Sequence, residues 1–270
     1  MKKIVVFHFI LLVSISAAAG VVYEIDVTDH AQSPPKTDSM QTSVEGRLLK
    51  MGIPSGGRSG DGEMIFRGDR REMVWIDHQK KTYFVIDEET MKAFAAQINE
   101  AMEMMEQALA NVPEAQRPMI EEMMRKKMPQ TQKVERPKTE LQKTGEMAEH
   151  NGYPCVRYEV LRDGRAIREL WVTDWENIEG GAEVAELFQQ MSEFFQEMLD
   201  SLPKFADNGA DQSFEHLKDL EGFPVITREL ADDGTIERES SLRSARRQKL
   251  DPTAFEPPAG YKRQQMFKGR

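Results

Sequence analysis

The side chains best suited to binding a ligand in this sequence are thioethers, because the chain contains 17 methionines. Five of them fall in two neighbouring stretches with helical spacing: Met102, Met105, Met119, Met123 and Met124. Thioether sulfur is a soft ligand that suits Cu(I). Copper binding is one hypothesis for this chain. It is the less favoured one, because the histidines are scattered and the run Met102-Glu103-Met104 lies within a predicted helix.

Contact with an apolar ligand is a second chemistry that the same stretches support. Methionine and phenylalanine recur every three or four residues at about 87–128 and 181–202, which predicts amphipathic helices. Flexible methionine side chains adapt to irregular partners. The candidate cavity residues are Phe94, Ile98, Met102, Met105, Met123, Met124, Phe188, Met191, Phe195 and Met198. The alternative is that these faces pack on the protein's own sheet.

Catalytic motifs are not recognisable in the sequence. The serines lack a Gly-x-Ser-x-Gly setting, and there is no His-Glu-x-x-His. The glycine-rich stretch from Gly56 to Gly62 lacks a phosphate-binding pattern. We therefore predict a protein that is not an enzyme, with no catalytic residues, no cofactor and no metal site.

The N-terminus has the pattern of a secretory signal peptide. Lys2 and Lys3 precede a short apolar run, and Ala17-Ala18-Ala19 follows it. The run is shorter than the roughly 20 residues that span a bilayer. We expect residues 1–19 to be removed after about Ala19 and the exported protein to have no stable membrane span.

Charge and cysteine content narrow the partners further. The formal net charge of −10 becomes −12 when Lys2 and Lys3 leave with the signal peptide. An acidic protein is disfavoured on phosphate backbones, so we expect no nucleic-acid partner. Cys155 is the only cysteine, so no intramolecular disulfide can form, and a buried hydrophobic role is expected for it.

A repeated hairpin pattern organises the C-terminal half. Gly152 to Trp171 begins with Gly-Tyr-Pro and turns at Asp163-Gly164, and Gly222 to Glu239 repeats this pattern with a turn at Gly234. Asp-Gly between strand-like runs is a strong hairpin signal. The sequence therefore predicts two hairpins with a helix between them.

The remaining elements complete an α+β pattern. Strands are predicted at 21–27, 41–51, 64–67, 73–77 and 82–86, with an edge strand in 133–143. Asp87 is expected to cap the first helix, a second helix carries Met119 to Met128, and Phe255 and Tyr261 are expected to pack on the sheet. We predict a curved antiparallel sheet with amphipathic helices inserted between strands and covering its concave face. One domain is expected over 20–261, followed by a basic tail at 262–270.

Three phrases carry a resemblance to a known family: Gly152-Tyr153-Pro154-Cys155, Glu169-Leu170-Trp171-Val172-Thr173, and Phe255 to Tyr261. With the order of elements, they resemble the exported bacterial family called domain of unknown function 4412, which is grouped with the lipoprotein-handling proteins LolA and LolB. The resemblance implies a half-barrel of antiparallel strands, helices that plug an apolar cavity, and a periplasmic location. No LolA functional motif aligns with this chain position by position.

Two classes of function follow. In the first, the protein holds a lipid, an acyl chain, another apolar ligand or a lipoprotein between sheet and helices. In the second, it is an envelope scaffold without a small ligand, whose sheet edge pairs with an unidentified protein partner. Both functions use the same fold, so the sequence leaves both open.

Overall fold

The computed structural model describes residues 19–53, 62–110, 139–201, 216 and 219–265. Within these residues, twelve strands form one open sheet and two α-helices lie between strands in the sequence. Most of the predicted signal peptide and the predicted second helix lie outside this part of the chain.

The first half of the sheet is a meander in which each strand is antiparallel to the next. Its strands are β1 (Gly20–Asp29), β2 (Lys36–Glu45), β3 (Leu48–Ile53), β4 (Gly62–Arg67), β5 (Glu72–Asp77) and β6 (Thr82–Ile86). The prediction of one strand over 41–51 is wrong, because Gly46 adopts a φ of 56° and turns the chain between β2 and β3. Val44 and Leu49 are both buried and lie opposite each other across this turn.

The second half is another antiparallel meander, formed by the later part of the chain. Its strands are β7 (Thr139–His150), β8 (Tyr153–Arg162), β9 (Arg165–Thr173), β10 (Phe223–Leu230) and β11 (Ile236–Gln248). The repeated pattern forms the hairpins β8–β9 and β10–β11, as predicted, with Gly164 at φ 78° and Gly234 at φ 84°. The two hairpins are adjacent because β9 pairs with β10. As predicted, an edge strand precedes them; residues 133–138 of the predicted segment lie outside the described part of the chain, and β7 continues beyond 143 to His150.

The two halves meet where β1 pairs with β11. The sheet order is β6-β5-β4-β3-β2-β1-β11-β10-β9-β8-β7. The joining pair runs from Gly20 opposite Gln248 to Asp29 opposite Arg238. Arg243 supports it by donating from Nε to Asp26 Oδ2 at 3.0 Å. The central pair of the sheet therefore joins segments that are more than 200 residues apart.

A row of alternating charges crosses the second half of the sheet. It runs through β7 to β11 in strand order: Glu146, Arg157, Glu169, Arg228 and Glu239. Successive nitrogen–oxygen distances are 2.8, 2.9, 2.7 and 2.7 Å. Glu169 lies in the middle with a side chain only 12% exposed, so it joins the β8–β9 hairpin to the β10–β11 hairpin.

The C-terminal segment packs on the first half of the sheet. A 3₁₀ turn at Pro252–Phe255 leaves Phe255 2% exposed against residues of β4 and β5. Tyr261 packs on the same cluster, and its hydroxyl lies 2.9 Å from His78 Nδ1. Both aromatic residues therefore pack as predicted. The chain then forms β12 (Lys262–Arg263), which pairs in parallel with β6, so the first two residues of the predicted basic tail belong to the sheet.

Two helices interrupt the strands. Helix α1 (Glu88–Ala110) follows β6, and α2 (Gly181–Ser201) lies between β9 and β10. Asp87 caps α1 as predicted, because its Oδ1 accepts a hydrogen bond from the N–H of Thr90 at 2.7 Å. The predicted α+β fold, a curved antiparallel sheet with inserted helices, is confirmed, with β12 as a short parallel addition.

The apolar face of α2 packs on the sheet. Leu187, Phe194 and Phe195 are buried in one cluster with Phe66 of β4, and the Phe66 and Phe194 rings lie 5.6 Å apart. Burying each such side chain contributes about 1.5–3 kcal/mol. Met91 of α1 packs in the same cluster. Part of each predicted stripe is therefore ordinary core, and neither helix has the length and apolar character needed to cross a membrane.

Replacing Gly164 with valine is expected to lower the free energy of unfolding by more than about 1 kcal/mol, because its φ of 78° is unfavourable for a β-branched residue. A Cβ there would meet no atom within 4 Å, so the loss reports backbone strain alone. Urea denaturation measures it, with Ala166→Val on β9 as the control in ordinary strand conformation. An unchanged midpoint for Gly164→Val would contradict the turn conformation.

Candidate functional site

Helix α2 encloses a cavity of about 220 Å³ against the sheet. Val184, Phe188 and Met191 line it from the helix, and the remaining lining comes from β1 to β4, β10 and β11. The cavity is partly open to solvent. It therefore lies where the two halves of the sheet join, beneath the helix that was predicted to cover them.

The sheet side of the cavity is rich in methionine. Met40 of β2, Met51 of β3 and Met64 of β4 line the cavity from the sheet, and Met191 lines it from α2. Met64 is buried, whereas Met40 and Met51 are half-buried. Unbranched thioether side chains can rearrange around guests of irregular shape. This wall is consequently adaptable as well as apolar.

Tyr23 and Phe223 form an aromatic part of the wall. Their rings stack with centroids 5.2 Å apart. The Tyr23 hydroxyl points away to donate a hydrogen bond to the backbone oxygen of Glu179 at 2.6 Å. Burial, with the nearby carboxylates of Glu183 and Glu179, raises the pKa of Tyr23. Tyr23 therefore stays neutral at physiological pH and contributes its ring to the lining.

Polar groups in the cavity are few and uncharged. Thr42, Thr227 and Ser240 are the hydroxyl residues of the lining besides Tyr23. None of the lining residues within the described chain carries a carboxylate, imidazole, thiol or amine. The groups present supply van der Waals contact and neutral hydrogen bonding, which is the chemistry of a binding site for an apolar or weakly polar molecule.

The predicted cavity residues of α2 divide between cavity and core. Phe188 and Met191 line the cavity. Phe195 is 7% exposed in the core. Met198 packs partly buried against the same core and borders a second cleft, beside α1.

The predicted residues of the first insertion lie elsewhere. Phe94 packs partly buried against the core, and Ile98 is half-buried on α1. The side chains of Met102 and Met105, and Met123 and Met124 altogether, lie outside the described residues. The structure thus brings Phe188 and Met191 together at the cavity and places Phe94 and Ile98 outside its lining.

The second cleft, of about 210 Å³, lies between the start of α1 and the end of α2. Its rim is charged, and the charges pair with one another: Arg71 with Glu197, and Lys92 with Glu88 at 2.5 Å. The Lys92 ammonium lowers the pKa of Glu88. This cleft offers less apolar surface than the cavity beneath α2, so it is the weaker binding candidate.

The methionines of the sheet were not among the predicted site residues, although the sequence contains a signal for them. Met40, Thr42 and Val44 alternate at every second position, as do Leu49 and Met51, which is the spacing of one strand face. Treating 41–51 as one strand hid this pattern. Recognising the turn at Gly46 would have placed both methionine-bearing strands beside each other.

The described residues contain no cluster of metal-binding side chains, and the single thiol is buried. No three of the described His, Cys, Asp and Glu residues lie close enough together to hold a metal ion. The copper hypothesis rests on methionine side chains outside the described part of the chain. Cys155 is 1% exposed, and burial raises the pKa of its thiol, which suits a packing role.

A family match decides where this chain belongs. The sequence profile described as "Domain of unknown function (DUF4412)" matches residues 102–261, more than half of the 270 residues. The chain belongs to the DUF4412 family. This confirms the predicted relationship. The DUF4412 match includes α2, β10 and β11 on one side of the cavity, while β1 to β4 precede the matched span. No curated protein sequence matches this DUF4412 chain.

Several solved structures are similar to this DUF4412 protein at low identity. An uncharacterized conserved protein from Thermus thermophilus has 7% identity and a TM-score of 0.43, with 92% of this chain and 90% of that chain covered. PNGF-II has 7% identity and a TM-score of 0.40, with 92% and 31% covered. The Pseudomonas aeruginosa MucA/MucB complex has 9% identity and a TM-score of 0.36, with 89% and 56% covered. The chain therefore spans only part of the length of PNGF-II and of the matched chain in the MucA/MucB complex.

Proposed function

We propose that this DUF4412 protein is an exported, non-enzymatic binding protein of the periplasm that holds an apolar ligand between α2 and the sheet. The ligand is a lipid, an acyl chain, or the acyl group of a lipoprotein. The observation that carries the proposal is the methionine- and aromatic-lined cavity of about 220 Å³. Export is supported by the signal-peptide pattern in residues 1–19.

The size of the cavity restricts what it can hold. A dry apolar cavity of about 150 Å³ in another protein takes up benzene. Sites for drug-sized ligands occupy about 300–1,000 Å³. A volume of about 220 Å³ falls between these values. It therefore suits one aliphatic chain, or a segment of one, better than a complete lipid with several chains.

A protein-interaction role is the second candidate. Strand β7 is the outer strand of the described sheet, and Met147 on it is 74% exposed. An outer strand can pair with a partner chain. However, Gly145 at φ 79° and a register shift between Lys143 and Met147 interrupt β7, and such bulges oppose edge pairing. We therefore favour the cavity.

Replacing Val184 with phenylalanine is expected to weaken ligand binding strongly, because Val184 is 1% exposed and lines the cavity from α2. The added ring would occupy the space that an aliphatic chain needs. Fluorescence titration with the uncharged apolar dye N-phenyl-1-naphthylamine measures binding to purified protein. We expect at least a tenfold loss of affinity, about 1.4 kcal/mol.

The matched control is Ala182→Phe, which adds the same ring to an exposed position of α2. It should bind the dye as the wild type does. Native mass spectrometry with organic extraction of the wild-type protein should show one bound acyl species. A dye that does not bind the wild type would contradict the proposed function.

A further inference from the structure

Hydroxyl groups interrupt the cavity wall at defined places. Thr227 of β10 and Ser240 of β11 lie opposite each other in the strand register, and both line the cavity. Both residues are half-buried. Paired hydroxyls at this depth can donate to and accept from one polar group of a ligand.

Thr42 is a third hydroxyl of the lining at a different level of the sheet, because it lies opposite Tyr23 of β1 whereas Ser240 lies opposite Val27. It lines the cavity from β2 and is 8% exposed, and its Oγ1 has no hydrogen-bond partner in the described structure. A buried hydroxyl without a partner is unfavourable. The oxygen is enclosed by protein atoms and lies four residues along β1 from the level of Ser240, so it does not share a polar group with Thr227 and Ser240.

Charged residues that adjoin lining residues in the strands pair with other side chains. Asp26 on β1 binds Arg243, and Arg228 on β10 binds Glu169 and Glu239. No described lining residue is cationic. A carboxylate or phosphate drawn into this space would lose water without gaining a counter-ion, which is strongly unfavourable.

We propose that the cavity selects a single aliphatic chain whose adjoining polar group is uncharged, an ester or an alcohol, bound by Thr227 and Ser240. This inference rests on the proposed function and specifies its ligand class. The same chemistry occurs in a neutral acylglycerol and in an O-acylated peptide. The charged ends of free fatty acids are excluded.

Competition against N-phenyl-1-naphthylamine tests the ligand class on the exported protein. The competitors are decane, decanol, methyl decanoate and decanoate at pH 8. We expect decanol and methyl decanoate to displace the dye at concentrations at least about tenfold lower than decanoate. Decanoylglycerol and an O-decanoyl serine peptide distinguish the two sources: stronger competition by the peptide assigns an acylated protein, and the reverse assigns a free lipid.

Variants assign the polar contact. Thr227→Val combined with Ser240→Ala should weaken the binding of methyl decanoate by about fivefold more than it changes the binding of decane. Thr37→Val is the control, because Thr37 is an exposed β2 residue whose hydroxyl meets Thr28 at 2.9 Å, outside the cavity. It should change nothing.

The outcomes separate the two proposals. If the dye does not bind the wild type, the proposed function fails and this inference fails with it. If the dye binds but decanoate competes as well as methyl decanoate, the binding function stands and the neutral-ligand inference is overturned. If the double variant weakens the binding of decane as much as the binding of methyl decanoate, the assignment of the hydroxyl contact is overturned.

Discussion

Replacing Gly222 with alanine is expected to lower the free energy of unfolding by about 2–3 kcal/mol. A Cβ at Gly222 would lie 2.1 Å from the backbone oxygen of Thr173 and 2.9 Å from Val172 Cγ1. Because the first contact is with backbone, β9 or β10 would have to move. Urea denaturation measures the loss.

Gly152 is the matched comparison, since it occupies the same position in the other copy of the repeat. Its φ is 83°, and a Cβ there would meet nothing within 4 Å. Gly152→Ala should therefore cost about 1 kcal/mol, from backbone strain alone. Equal losses in the two variants would show that the approach of Gly222 to β9 is not a fixed feature of the fold.

Replacing Glu169 with glutamine is expected to lower the free energy of unfolding at pH 7 by about 2–3 kcal/mol, because both Arg157 and Arg228 lose an ionised acceptor. Thermal or urea unfolding measures the change. Glu237→Gln on β11 is the control, because Glu237 is exposed. Its effect should stay within about 0.5 kcal/mol.

The effect of Glu169→Gln should depend on pH. Burial alone would raise the pKa of Glu169, but hydrogen bonds from Trp171 and Arg228 and the charges of Arg157 and Arg228 lower it overall. A lowered folded-state pKa stabilises the protein fully above the ordinary glutamate value of about 4.3 and loses that stabilisation as pH falls through the folded-state value. The difference between wild type and variant should narrow below about pH 4.3. A constant difference would contradict the assigned ion pairs.

Local features of this fold could be predicted because their causes are local. The Asp-Gly turns of the repeated hairpins and the cap of α1 by Asp87 depend on residues within a few positions of one another. The spacing of Leu187, Phe194 and Phe195 likewise predicts the buried face of α2 without reference to the sheet. Period and turn chemistry are sufficient for such elements.

The cavity could be predicted only in part because its causes are distant. Phe188 and Met191 follow from the helical period, but Met40 and Met64 line the same space only after the strands take their places in the sheet. The position of β11 beside β1 decides that arrangement, and no local pattern specifies which strand β1 will pair with. The glycine turn at Gly46, which lacks a neighbouring Asn, Asp or Pro, concealed one more strand boundary.

The pairing of β1 with β11 also imposes an order on biogenesis. Synthesis and the proposed export both proceed from the N-terminus, so the hydrogen-bonding groups of β1 to β6 are available to one another once residue 86 has reached the compartment where the protein folds. The outer side of β1 must then wait for residues 236–248, with its backbone N–H and C=O groups unpaired. During that interval β1 is an exposed edge strand of the half-sheet, and exposed edge strands are prone to misassembly. The last major strand to be synthesised therefore protects the first.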